Sequence, residues 1–97
     1  MGETNTYYVY ILASGLHGTL YIGVTNNLRT RLEQYRSGRG SEFVKKYTVH
    51  RLVYVETFAS PRDAIAREKQ LKNWHRDWKI RLIEKENLDW SDLSGLV

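Results

Sequence analysis

Apolar and polar positions alternate at the start of the chain. In residues 6–12, TYYVYIL, Val9 and Ile11 fall on one side of an extended segment, while Tyr8, Tyr10 and Leu12 fall on the other. Residues 20–25, LYIGVT, repeat the pattern, with Leu20, Ile22 and Val24 against Tyr21, Gly23 and Thr25. The stretch between them, ASGLHGT, carries Gly15 and Gly18, which predicts an antiparallel hairpin with a somewhat long loop. The period then changes. Leu28, Leu32 and Tyr35 recur at helical spacing, Asn26 or Asn27 offers an N-cap, and Gly38 marks the end. Residues 38–41 read as a flexible, basic loop. RLVYVETF, residues 51–58, reads as a third strand. Ser60-Pro61-Arg62-Asp63 starts a second long helix, with a capping hydroxyl, a proline in the first turn and an acid beside the open amides. That helix is predicted to run to about residue 74, and another from about 77 to 85 carries Trp78, Leu82 and Ile83. The tail NLDWSDL is expected to pack back through Leu88, Trp90 and Leu93.

The predicted order is β-β-α-β-α-α. The simplest fold is an α/β (α+β) domain, with a three-stranded, mainly antiparallel sheet flanked by helices. The aliphatic sets on the first two strands are expected to face the helices. Tyr10 and Tyr21 then emerge together on the opposite face, where Gly23 leaves room beside them. With 97 residues the chain is long enough for one small domain. Cysteine is absent, so neither disulfides nor a thiolate zinc site contributes. No apolar run approaches the roughly 20 residues of a membrane span. The N-terminal segment lacks the features of a signal peptide, so a cytoplasmic monomer without a membrane partner is expected.

Charge is unevenly spread. The net charge is +4, yet residues 29–51 alone carry +5, from Arg29, Arg31, Arg36, Arg39, Lys45, Lys46 and Arg51 against Glu33 and Glu42. Such a patch suits a polyanion, and Arg36, Arg39, Lys45 and Lys46 are the candidate nucleic-acid contacts. Two charges interrupt apolar stripes. Arg31 lies in line with Leu28, Leu32 and Tyr35, and Glu68 lies among Ala64, Ile65 and Leu71. A guanidinium keeps its charge in a protein, so Arg31 must reach a partner or the surface. Its stem could simply pack while its head meets water, or it could pair with Glu68 itself. The two tyrosines could likewise do no more than stabilise the hairpin. Together, though, an inward arginine, an inward glutamate and paired tyrosines mark a functional site, where local rules are most often broken. His17, His50 and His75 have no metal-ligand spacing, and no phosphate-cradling glycine loop or nucleophilic serine signature is present.

Tyr8-Val9-Tyr10 and Tyr21-Ile22-Gly23 resemble the paired signature of the GIY-YIG nuclease superfamily, with Tyr8 standing where the first glycine would be. Asn27-Leu28-x-x-Arg31-Leu32 resembles the family's arginine-bearing helix. Tyr35 matches a position where relatives carry histidine or tyrosine, and Glu68 in AREKQLKNW matches the metal-binding glutamate. The resemblance covers nearly the whole chain. It is nearest to a small stand-alone bacterial subfamily of unknown role whose members often end in an NPxWxDL-like tail, here residues 87–93. Val24 stands where some relatives carry lysine, and Asn87 is the candidate for an asparagine that many use late in the domain. The resemblance implies a metal-dependent endonuclease that hydrolyses phosphodiester bonds in nucleic acid, with DNA the expected form. Glu68 would hold Mg²⁺ (or Mn²⁺), Arg31 would grip the phosphate, and Tyr10 would be the base with Tyr21 orienting the water or sharing the proton. Tyr35 would contact phosphate or extend the relay. Two alternatives stay open: a nucleic-acid-binding module without useful catalysis, and an interaction domain in which Arg31 and Glu68 merely pair.

Overall fold

The computed structural model describes residues 5–39 and 42–97. Strands β1 (Tyr7–Ala13), β2 (Leu20–Thr25) and β3 (Arg51–Phe58) form one antiparallel sheet in the order β2-β1-β3. Helices α1 (Leu28–Arg36) and α2 (Glu42–Tyr47) lie between β2 and β3 in sequence, and α3 (Pro61–Asn73) and α4 (Arg76–Glu86) follow. A 3₁₀ turn, Leu93–Leu96, closes the chain. The caps are those the sequence offers. The Asn27 side chain accepts from the Thr30 amide at 3.1 Å, and Ser60 Oγ accepts from the Asp63 amide at 3.4 Å. Gly38 sits just past α1 at φ +83°, a conformation that glycine adopts without Cβ strain.

Both faces of the sheet are covered, which corrects the expectation of one open face. Val9, Ile11, Ala13 and Ile22 pack against Ala64 and Leu71 of α3, Ile83 of α4 and Trp90. On the other side, Tyr10 and Leu12 pack with Leu28, Leu32 and Tyr35 of α1 and Val44 of α2. The cause is the central position of β1. Its run TYYVYIL carries large apolar groups at both parities, and the Leu28–Leu32–Tyr35 stripe can be buried only on the face that α3 leaves open. Tyr10 is therefore 1% exposed rather than emergent. Helix α2 was not foreseen. In EFVKKY only Val44 is buried, and its apolar positions Phe43, Val44 and Tyr47 span little more than one turn, too short a run to establish a helical period. Of the basic loop expected at residues 38–41, positions 40 and 41 lie outside the described residues.

The tail wraps the outer edge of β3. Asn87 donates its side-chain amide to the Val53 carbonyl at 3.2 Å, and Asp92 Oδ1 accepts the Leu52 amide at 3.2 Å. Trp90 is fully buried, and its indole N–H donates to Glu84 at 2.8 Å. Leu93 packs against the cluster around Tyr10. Leu88, expected to pack, is 73% exposed. The turn closed by the Trp90 amide on the Asn87 carbonyl swings the indole inward and leaves Leu88 outside.

A second clasp joins β3 to α3. Arg67 Nε and Nη2 donate to the two Glu56 oxygens, each at 2.9 Å, and the Tyr54 hydroxyl donates to the same carboxylate. Burial raises the Glu56 pKa, but the bonds from Arg67 and Tyr54 outweigh it and leave the carboxyl below its ordinary value. A depressed carboxyl pKa stabilises the fold above the unfolded-state value and ceases to do so as pH falls through the folded value. Glu56→Gln is expected to cost about 1–2 kcal/mol at pH 7. Urea melts at descending pH should show the gap to wild type closing in acid. A gap that persists at about pH 3 would show that the ionic contribution is negligible.

Candidate active site

Three tyrosines meet on the α1 side of the sheet. Tyr10 of β1 stands opposite Gly23 of β2, and Tyr21 is one same-face position along. The missing side chain at Gly23 is what makes room for the Tyr10 ring: a Cβ there would lie 2.3 Å from the Tyr10 hydroxyl oxygen. Helix α1 lays Tyr35 over the pair. The Tyr10 and Tyr35 hydroxyls are hydrogen-bonded at 2.7 Å, and the Tyr35 ring meets the Tyr21 ring edge-on at 5.9 Å. Tyr10 and Tyr35 are buried, while Tyr21 is partly exposed. Burial pushes the Tyr10 phenol far above its ordinary value of 10, and the bond to Tyr35 raises it further. Tyr35 is raised as well, by burial first.

Arg31 is half-buried at the rim of this cluster. Its positive charge opposes the upward shift of both Tyr10 and Tyr35, so the guanidinium lies within electrostatic reach of their hydroxyls. Among the described residues the guanidinium has neither an ion pair nor a hydrogen bond to protein. The pairing with Glu68 that the sequence left open is not made. Glu68 instead meets Lys72 at 3.1 Å across one turn of α3.

Glu68 occupies the other face of the sheet, on a particular flank of α3. Ala64 and Leu71 point into the core, and Arg67 and Glu68 lie on either side of that line. Arg67 turns to β3, where it meets Glu56. Ile65, on the Glu68 flank, lines a hollow with Val24 and Thr25 of β2. Glu68 thus points toward β2, the edge strand that carries Tyr21. Its side chain is 15% exposed. The expected stripe is corrected at Ile65, which is 43% exposed because it lies too far around the helix from the Ala64–Leu71 line. Among the described residues no three His, Cys, Asp or Glu side chains gather as a metal-binding group. Glu68 alone offers a single hard carboxylate, a donor set that fits a cation such as Mg²⁺ that keeps several of its waters.

Asn87 is drawn elsewhere. Besides Val53, its amide serves the Ser91 carbonyl at 2.9 Å and its oxygen accepts the Ser91 amide at 3.0 Å, so its side chain anchors the tail. The four basic candidates are all exposed. Arg36 bonds the Ser94 hydroxyl and lies 3.7 Å from Asp92, which partly neutralises it. Arg39 donates to the Ser37 hydroxyl at 3.1 Å. Lys45 and Lys46 stand on α2, beside two aromatic rings that the sequence reading passed over, Phe43 and Tyr47. Their signal was present: two aromatics four residues apart, enclosing a lysine pair.

Comparisons with known proteins show the family to which the chain belongs. The family described as the GIY-YIG catalytic domain matches residues 6–81. A UPF0213 protein of Bacillus licheniformis is 36% identical over 93% of this chain and 92% of its own length. One of Pediococcus pentosaceus is 34% identical over 92% and 93%. The solution NMR structure of the UPF0213 protein of Bacillus halodurans superposes with a TM-score of 0.57 at 27% identity, covering 94% of this chain and 96% of that one. No helix among the described residues is long and apolar enough to cross a membrane. Matched by the family over residues 6–81 and by these relatives over almost the whole chain, the protein belongs to the GIY-YIG catalytic-domain family of nucleases, among its small UPF0213 members.

Proposed function

We propose that this domain is a metal-dependent endonuclease that hydrolyses phosphodiester bonds in nucleic acid, with DNA as its main substrate. The observation that carries the reading is Arg31. Its guanidinium stands without a protein partner among the described residues, beside a row of tyrosine hydroxyls, in a family of nucleases. A planar fork of that kind binds two phosphate oxygens at once and gains from the partly dry surroundings.

The tyrosines divide the remaining work by exposure. Burial holds the Tyr10 hydroxyl in its protonated form, which makes it a poor acceptor for a proton from water. This argues for exchanging the roles implied by the resemblance: Tyr21, partly open to solvent, takes the base role, and Tyr10 orients. In this scheme the buried, hydrogen-bonded Tyr10–Tyr35 pair, with the Tyr35 ring edge-on against Tyr21, sets the position of the exposed hydroxyl. Glu68 would hold the Mg²⁺ or Mn²⁺ ion through its single carboxylate. The chemistry supplied there would be Lewis-acid stabilisation of charge on the phosphate and the leaving oxygen. Asn87 remains a structural anchor in this scheme, and Arg36, Arg39, Lys45 and Lys46 contact flanking phosphates.

Glu68→Gln tests the scheme. The exposed partner of its ion pair makes only a small contribution to stability, so the melting curve should move little. Calorimetric binding of Mg²⁺ or Mn²⁺ should be lost, and metal-dependent cutting with it. A destabilised variant that binds the cation as wild type does would leave Glu68 a salt-bridge residue only. If wild type binds nucleic acid but cuts no duplex, branched or single-stranded form with either metal, the surface is a binding module and the nuclease reading fails.

A further inference from the structure

The aromatic row does not stop at Tyr21. The Phe43 ring of α2 lies 5.7 Å from the Tyr21 ring, tilted by 32°, and the Tyr47 ring lies 4.7 Å from Phe43. Phe43 is 40% exposed and Tyr47 44%, while Val44 between them is buried. A helix of six residues does not hold its shape alone and depends on packing. Here it buries one small aliphatic side chain and keeps two large aromatic rings at the surface. Packing economy would place them the other way round. Charge completes the pattern: Lys45 is exposed beside them, and the Lys46 ammonium lies 5.4 Å from the centre of the Tyr47 ring.

Aromatic faces interleaved with cations are how proteins hold unpaired nucleotides, the ring taking the base and the lysines the backbone. A base inside a duplex has both faces covered by its neighbours and cannot offer one sideways. A base in a single strand, a flap or a frayed end can.

We propose that Phe43 and Tyr47 form a stacking platform for an unpaired nucleobase next to the phosphate held at Arg31, so that the substrates of this domain are single-stranded or carry an unpaired segment at the scissile bond. The position relative to Arg31 rests on the nuclease reading above. The stacking itself needs no chemistry and is tested separately.

The probe is an oligothymidylate with one 2-aminopurine, titrated in EDTA and followed by 2-aminopurine fluorescence and by anisotropy. Wild type should quench the fluorescence on binding. Phe43→Ala and Tyr47→Ala should each weaken single-strand binding by about 5- to 100-fold. A blunt duplex of the same length should change by about twofold or less, since it offers no free base. Phe43→Trp and Tyr47→Phe keep a ring and should bind as wild type. If Phe43→Ala loses α2, as read by amide NMR, the comparison of Tyr47→Ala with Tyr47→Phe decides. Absence of quenching, unchanged single-strand affinity in Tyr47→Ala, or an equal loss for duplex and single strand would overturn the platform and leave the rings as packing for α2. A parallel incubation with Mg²⁺ separates the two claims. A strand that is bound with quenching but never cut overturns the nuclease reading and leaves the platform standing.

Discussion

Tyr21→Phe should slow cleavage by about 10²–10⁴-fold, the usual cost of losing a positioned general base, and should leave the fold intact. The ring remains to pack against Tyr35 and Phe43. Only a hydroxyl on a partly exposed side chain is lost. Tyr10→Phe is the informative control. It removes a buried hydroxyl and leaves the Tyr35 hydroxyl without its partner, so about 1 kcal/mol of stability should go with it. Its effect on rate should be smaller than that of Tyr21→Phe, because orienting a base matters less than supplying one. Single-turnover rates from pH 7 to 10 at saturating Mg²⁺ give the comparison. A greater loss in Tyr10→Phe would return the base role to Tyr10. Wild-type rates and pH profiles in both variants would rule out a tyrosine base in this domain.

Gly23→Ala should damage stability and activity together. The added Cβ would meet the Tyr10 hydroxyl oxygen at 2.3 Å, its ring carbon Cζ at 2.5 Å and Cε2 at 3.0 Å. Contacts that short cannot persist, so the ring must move. It has nowhere easy to go, being 1% exposed under Tyr35 and α1. Overpacking of this kind costs about 1–3 kcal/mol. In a domain of this size each kcal/mol lowers the melting temperature by roughly 4–8 °C. Displacing the ring also breaks the 2.7 Å bond to Tyr35, so cleavage should fall even at temperatures where the variant is folded. An alanine variant with wild-type melting and rate would show that Tyr10 is not confined as described.

The residue pattern carried the strands, the two polar N-caps and the pairing of Tyr10 with Tyr21 on one face. These depend on short-range rules: alternation, capping geometry and the distance between two signatures. What it could not carry was depth. TYYVYIL reads the same whether its tyrosines face solvent or a second helical layer. Only the position of β1 between two strands, and the need of Leu28, Leu32 and Tyr35 for cover, buries Tyr10. For the same reason the burial of Tyr10, on which the proposed exchange of roles with Tyr21 rests, was not legible in the sequence. Helical periodicity placed Glu68 within an apolar stripe but not on a flank. Its direction became legible only once Arg67 and Ile65 had partners on opposite strands. Helix α2 was hidden because its apolar positions span little more than one turn, too short a run to establish a period.

The tail's grip on β3 makes the two borders of the sheet unequal. A bare outer strand is a template on which any extended chain, including a second copy of the same protein, can continue the ladder. Asn87 and Asp92 occupy backbone groups of β3 that such a visitor would need. Among the described residues nothing hydrogen-bonds in this way to the backbone of β2. Self-association through β3 is thereby discouraged, and any pairing with a further strand is left to the border that carries Tyr21.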